Sequence, residues 1–213
     1  MNKLQTEFIP AAQENSRRVF VVLHGLGDSP EGWRWLPPAL NLPQMNYLLV
    51  RAPDEYFGGW SWFDFPEGEV APGVHRSRKL LAELLDKLRS LGFPADQITL
   101  GGFSQGCLMA IETGLRYPHR LAGIVGISGW VFEIENLICD ITPVAKSQRL
   151  LITHGHNDPL LPFAGARTQT QQLKAAGLDV TWREYPKEHS IHGDEEIADI
   201  REFVKAGYPA AGG

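Results

Sequence analysis

Strand-like runs and amphipathic helical stretches alternate along the chain, and the first run is the most telling. Val19 to Leu23 has no polar residue at any position. A strand with one wet face alternates apolar and polar side chains, so a run with no polar member has to be covered on both faces. Tyr47 to Val50 repeats the pattern, and further strands are predicted over Ile98–Phe103, Leu121–Ile127, Leu150–Thr153 and Val180–Tyr185. Between them, His75 to Leu91 places Leu80, Leu81, Leu84, Leu85, Leu88 and Leu91 on one helical stripe, stopped by Gly92 and Pro94. Ser104–Tyr117 and Phe163–Ala176 read as helices ended by Pro118 and Gly177, and Asp194–Ala206 as a last helix with acids in its first turn. An edge strand, antiparallel, is expected around Leu4 to Ile9. Pro53–Pro72 reads as a loop rich in Gly, Pro and aromatics, and Phe132–Gln148 as a loop with one short helix.

This alternation predicts an α/β fold, a mostly parallel central sheet with helices on both faces. The length of 213 residues suits one domain over 1–213. Sheets of this kind place their chemistry just beyond the carboxyl ends of the strands.

Composition removes several function classes. The net charge is −5 with no block of like charge, which argues against a nucleic-acid partner held by phosphate neutralisation. Cys107 and Cys139 sit among apolar neighbours and are expected as buried free thiols, too few for a disulfide framework. Met1 to Asn15 lacks the apolar core of a secretory signal, and no run reaches the roughly 18 apolar residues of a spanning helix. A cytoplasmic protein without stable membrane insertion is expected, as monomer or homodimer.

The strand-to-helix junction after Ile98 reads Gly102-Phe103-Ser104-Gln105-Gly106, a G-x-S-x-G match in the structural context that gives the motif meaning. There a serine is held on a sharp turn with its hydroxyl above the sheet, and flanking glycines keep side chains out of the neighbouring strand and helix. The plainer reading is a glycine-rich turn with a capping serine. A serine hydroxyl becomes a nucleophile only when a base removes its proton. His189 lies on the loop between the sixth strand and the last helix, where a ring can swing over the sheet; His192, three residues on, is the alternative base. His119 follows the nucleophile's own helix at its far end. Asp158, just past the fifth strand, is the candidate orienting acid, with Asp140 and Asp179 less well placed.

The oxyanion formed during acyl transfer needs preorganised N–H donors. Gln105, directly after the serine, and Leu26, in the glycine-containing loop His24-Gly25-Leu26-Gly27-Asp28, are the candidate backbone donors. The same loop fails as a dinucleotide fingerprint because Pro30 stands where the third glycine belongs. For substrate contact, Trp60, Trp62, Phe63 and Phe65 crowd one loop; two are expected to line an apolar groove and two to anchor it. Trp62 and Phe63 are taken as contacts, together with Leu161 from the trio Leu160, Leu161 and Phe163. Trp130 and Phe132 are further candidates.

Taken together, His24 to Ser29, Ser61-Trp62-Phe63-Asp64, Gly101 to Gly106, Gly155 to Pro162 and His189-Ser190 resemble the phospholipase/carboxylesterase family of α/β-hydrolases, which includes acyl-protein thioesterases and bacterial carboxylesterases. The likeness runs from about Val19 to Val204. It implies an α/β-hydrolase fold without a large lid domain and hydrolysis of carboxylic esters or thioesters. Ser104, Asp158 and His189 would form the triad, and the Leu26 and Gln105 amides the oxyanion hole. No metal or other cofactor is implied. The substrate would be a small ester or thioester, or an acylated protein. The chain departs from the family in the short stretch starting Phe65-Pro66-Glu67-Gly68-Glu69, so acyl-length preference does not carry over. Cys107 replaces a common glycine and is expected to pack beneath the serine turn without a catalytic part.

Two other classes remain. His154-x-His156-x-Asp158 has a spacing found in zinc hydrolases, although Pro159 stands where that motif has another histidine. A hydrolase-fold protein that binds without turnover would keep a pocket but would not need a complete triad.

Overall fold

A computed structural model describes residues 4–65 and 69–208. Its centre is a seven-stranded sheet ordered β1-β3-β2-β6-β7-β8-β9. The strands are β1 (Thr6–Ile9), β2 (Arg18–Leu23), β3 (Met45–Val50), β6 (Ile98–Phe103), β7 (Gly123–Ile127), β8 (Arg149–Gly155) and β9 (Asp179–Tyr185). All neighbours pair in parallel except β1, which runs antiparallel along β3 at the edge, as the sequence predicts.

The apolar runs are explained by what covers them. Val19, Val21 and Leu23 of β2 face one core with Leu81, Leu85, Leu108, Ile111 and Leu173, whereas Phe20 and Val22 face a second core with Leu36, Leu40, Ile197 and Ile200. The first core is closed by α2 (Val70–Ser90), α3 (Gln105–Arg116) and α6 (Phe163–Ala175); the second by α1 (Leu36–Leu40) and α7 (Gly193–Ala206). Each large aliphatic side chain removed from water contributes about 1.5–3 kcal/mol, so a polar residue on either side of β2 would cost core.

Several segments depart from the sequence reading. The expected loop Pro53–Pro72 contains a hairpin, β4 (Asp54–Tyr56) and β5 (Gly59–Ser61), and its last residues open α2. Pro72 is compatible with that helix because it lies in the first turn, where a missing N–H breaks no intrahelical bond. Leu91 falls beyond the end of α2 and is exposed. Phe132–Gln148 holds two short helices, α4 (Ile134–Cys139) and α5 (Pro143–Lys146), rather than one. Cys107 is buried but Cys139 is exposed at the end of α4, contrary to expectation. Pro66, Glu67 and Gly68, where the chain departs from its family's pattern, lie outside the described residues.

Candidate active site

Ser104 sits between β6 and α3 with φ 54° and ψ −117°, a conformation that costs a residue with a Cβ. Two glycines make the turn possible by close approach. A Cβ on Gly106 would lie 2.2 Å from the Leu23 carbonyl oxygen, and one on Gly102 would lie 2.4 Å from the Gly106 backbone. The Ser104 N–H donates to the Ile127 carbonyl at 2.9 Å, which pins the turn to β7.

Two further loops meet this serine. His189, beyond β9, brings its Nε2 to 3.0 Å from Ser104 Oγ. Its Nδ1 lies 2.8 Å from Asp158 Oδ2, and the Asp158 side chain is fully buried. Asp158 follows β8; its Oδ1 accepts the Leu160 and Leu161 amides, both at 2.9 Å. Burial by itself would raise the Asp158 carboxyl, but the Leu161 amide, the His189 ring and the Leu160 amide together hold it below the ordinary carboxylate range. The acid therefore stays ionised beside the imidazole. His192 is directed elsewhere: its ring stacks on Tyr185 at 5.2 Å between centroids.

The loop after β2 passes directly against the serine, since a Cβ on Gly25 would be 3.4 Å from Ser104 Cβ. Within it, Gly27 N–H donates to Trp60 O at 2.9 Å and Asp28 N–H to Gly25 O at 3.3 Å, whereas the Leu26 and Gln105 amides meet no acceptor among the described residues. Leu26 and Gln105 thus each bring an unengaged backbone donor to the two chain segments that border Ser104.

The aromatic residues sort differently from the sequence reading. Trp62 and Phe63, expected to contact substrate, are fully buried. Trp62 Nε1–H donates to His24 O at 2.9 Å, and its backbone N–H to Gln105 Oε1 at 3.0 Å; Gln105 Nε2 in turn donates to Phe63 O at 3.0 Å. Both rings anchor the loop: they are buried, and the polar atoms around them are hydrogen-bonded in that position. Leu161 remains accessible and lines a cavity of about 500 Å³ with Gly129, Trp130, Pro162, Ala164 and Gly165. Phe63 reaches that region only indirectly, packing edge-on behind Trp130 at 6.0 Å.

The zinc-like spacing does not converge. His154 is buried with Nε2 bonded to the Leu161 carbonyl at 2.8 Å, while His156 Nε2 lies 3.4 Å from Glu184 Oε1 on the outside. Among the described residues, no three His, Cys, Asp or Glu side chains come together as metal ligands. Cys107 lies under the serine turn, and burial pushes its thiol up to about 12, leaving it protonated at neutral pH.

Sequence reasoning missed the second role of Gln105. Its side-chain amide ties the loop before α2 to the residue after the serine. It also missed the hairpin beside the Gly25–Asp28 loop; the Phe57-Gly58 step between two short polar strands was the available signal.

A family model for phospholipase/carboxylesterase matches residues 4–207. Acyl-protein thioesterase 1 of Schizosaccharomyces pombe is 35% identical over 176 residues, covering 75% of this chain and 78% of that protein. Acyl-protein thioesterase 1 of Gibberella zeae is 28% identical, covering 94% of each. Among solved structures, esterase PE8 superposes with a TM-score of 0.87 at 26% identity, over 96% of this chain and 99% of that one. Zea mays acyl-protein thioesterase 2 gives 0.79 at 26% identity, over 95% and 98%. No lid domain interrupts the described residues, and with the family match spanning nearly its whole length, this chain belongs to the phospholipase/carboxylesterase family and has the α/β-hydrolase fold.

Proposed function

We propose that this protein is a serine hydrolase that cleaves carboxylic esters or thioesters of short to medium acyl chains through an acyl-enzyme. The observation that carries the reading is the unbroken relay from Ser104 Oγ to His189 Nε2 at 3.0 Å and from His189 Nδ1 to Asp158 Oδ2 at 2.8 Å. Ser104 Oγ attacks the acyl carbonyl while His189 Nε2 takes its proton. The oxyanion is met by the Leu26 and Gln105 amides. His189 then protonates the departing alcohol or thiol, and later removes a proton from the water that attacks the acyl-enzyme. Asp158 remains a carboxylate throughout, keeps the Nδ1–H tautomer in place and stabilises the imidazolium. The cavity bordered by Leu161 and Trp130 is the proposed acyl site, since its walls are mostly apolar, with Thr168 and Gln169 as the polar members, and it begins at Gly129, where an added Cβ would lie 2.9 Å from the Ser104 carbonyl. An acylated protein as acyl donor is the extension suggested by the thioesterase relatives.

A graded panel of nitrophenyl esters and acyl thioesters tests the reading. Ser104→Ala and His189→Ala should each lower kcat by about 10⁵- to 10⁶-fold with the fold intact. Asp158→Asn should lower it roughly 10⁴-fold by favouring the wrong tautomer. A loss of only about tenfold at Ser104 or His189 would refute the assignment.

A further inference from the structure

The segment that carries His189, residues 186–192 between β9 and α7, has no regular structure of its own. Its main chain makes two local turns, Lys187 N–H to Tyr185 O at 2.8 Å and Ser190 N–H to Glu188 O at 2.9 Å. One bond leads outward, from Asn157 N–H to Lys187 O at 3.1 Å. Such bonds leave a loop free to pivot, and an imidazole at its middle would move with it.

Glu196, near the start of α7, removes that freedom. It is completely buried, and its carboxylate is filled by donors from three directions. Lys187 Nζ reaches Oε1 at 2.6 Å and Oε2 at 2.8 Å. Thr153 Oγ1 donates to Oε1 at 2.5 Å, and the His192 backbone N–H to Oε2 at 2.6 Å. One side chain therefore holds the residue two before His189, the residue three after it, and the strand that leads into Asp158. Lys187 is itself only 4% exposed. Burying two charges costs desolvation that their attraction often fails to recover, and apolar replacements frequently match or exceed such a pair in stability. Stability alone is thus a poor account of an ion pair at this position.

We propose that Glu196, together with Lys187, is the positioning element for His189: the buried pair and its two extra hydrogen bonds fix the 187–192 segment where the imidazole spans Ser104 and Asp158. Neither residue touches the reacting atoms. The inference rests on His189 acting as the general base.

The test is the double variant Lys187→Met/Glu196→Met, which removes both charges together and leaves neither one buried alone. Thermal melting, kcat and KM on a nitrophenyl ester, and the far-downfield proton resonance of the His189 Nδ1–H are measured. The expected result is a cooperative melt and a KM within about twofold of wild type, with kcat lower by about 10- to 100-fold, the cost of a misplaced catalytic group, and a lost or broadened resonance. A kcat within about twofold of wild type with the resonance intact overturns the proposal. Thr153→Val, which cuts one tether and keeps the ion pair, decides if the double variant does not fold. A loss in kcat of about three- to tenfold at unchanged KM is expected, and no loss counts against the proposal. His189→Ala separates the two readings. If it still turns over ester, the base assignment is wrong whatever Glu196 does. If it is silent while the double variant is fully active, only the positioning role falls.

Discussion

At the scale of single residues, backbone and side chain of one position do separate work. Gln105 brings an amide N–H to the border of Ser104, while its buried side chain accepts from Trp62 N–H and donates to Phe63 O. Gln105→Ala keeps the first and removes the second, leaving the buried Trp62 N–H without its partner at about 1–3 kcal/mol, while Ser61 Oγ still donates to Phe63 O at 2.7 Å. A fall in unfolding free energy of about 1–3 kcal/mol is expected by denaturant titration; an unchanged midpoint would show that the loop is held by other contacts. Ser104 illustrates the opposite economy. Its φ of 54° is unfavourable for a serine, and the turn around it is held by the Ser104 N–H bond to Ile127 O and by the close approach of the Leu23, Gly102 and Gly106 backbones.

Among the elements, the β4–β5 hairpin shows which features stability alone does not select. Phe57 and Gly58 at its tip have φ of 44° and 87°, the two positive values that a tight I′-type turn requires. Asparagine and glycine suit those positions, and a phenylalanine that is 96% exposed gains almost nothing from burial there. Phe57→Asn is therefore expected to stabilise the fold by about 0.5–1 kcal/mol. Differential scanning calorimetry checks this; a lower melting temperature would mean that the ring makes contacts that offset its strained backbone. The hairpin matters to the site because its Trp60 exchanges hydrogen bonds with Gly27 and Asp28, steadying the loop that carries Leu26.

Across the whole molecule, two buried histidines make stability depend on pH. Burial lowers the basicity of His24, against smaller opposing effects of the Gly25 carbonyl, Asp28 and Glu31. Its Nδ1 donates to Gly25 O and its Nε2 accepts from Ala52 N–H at 3.1 Å, so a second ring proton would break a bond. Burial likewise lowers His154, although the Leu161 carbonyl and Asp158 oppose it; its Nδ1 is buried and meets no partner among the described residues, so a proton there would find no acceptor among them. Both groups titrate below their unfolded value of about 6.5, so in that interval the unfolded chain binds more protons and stability rises with pH. The contribution is complete above about pH 6.5 and is lost on acidification, at up to about 1.4 kcal/mol per pH unit for each ring until its folded value is passed. Asp158 adds a second loss at lower pH: its depressed carboxyl stabilises the fold above the ordinary carboxylate value of about 4, and that contribution disappears as pH falls through the folded value. Denaturant titrations at pH 7.5, 6.5 and 5.5 check the histidine window; equal stabilities at all three would contradict it.

The sequence alone determined the fold class, the succession of strands and helices along the chain and the candidate site residues that the fold brings together, because those signals are local. The all-apolar run Val19–Leu23 demands two covered faces, a serine flanked by glycines demands a close turn, and the segments after β6, β8 and β9 carry a serine, an aspartate and a histidine in that order along the chain. Which face each side chain turns toward was not local. Trp62 and Phe63 look like the surface aromatics of a groove until Gln105, His24 and Ser77 claim the polar atoms around them and draw both rings inside. His154 and His156 share a motif in sequence, yet one ring turns in to a carbonyl and the other out to Glu184, since His154 lies within β8 whereas His156 follows its end at Gly155, where strand alternation no longer sets side-chain direction. Glu196 reads as one acid among three at a helix start and becomes the anchor of the His189 loop only when α7 packs against β8 and β9. Hydrogen bonds between residues dozens of positions apart form after the layers close, and a linear pattern carries no trace of which partners that closure brings within reach.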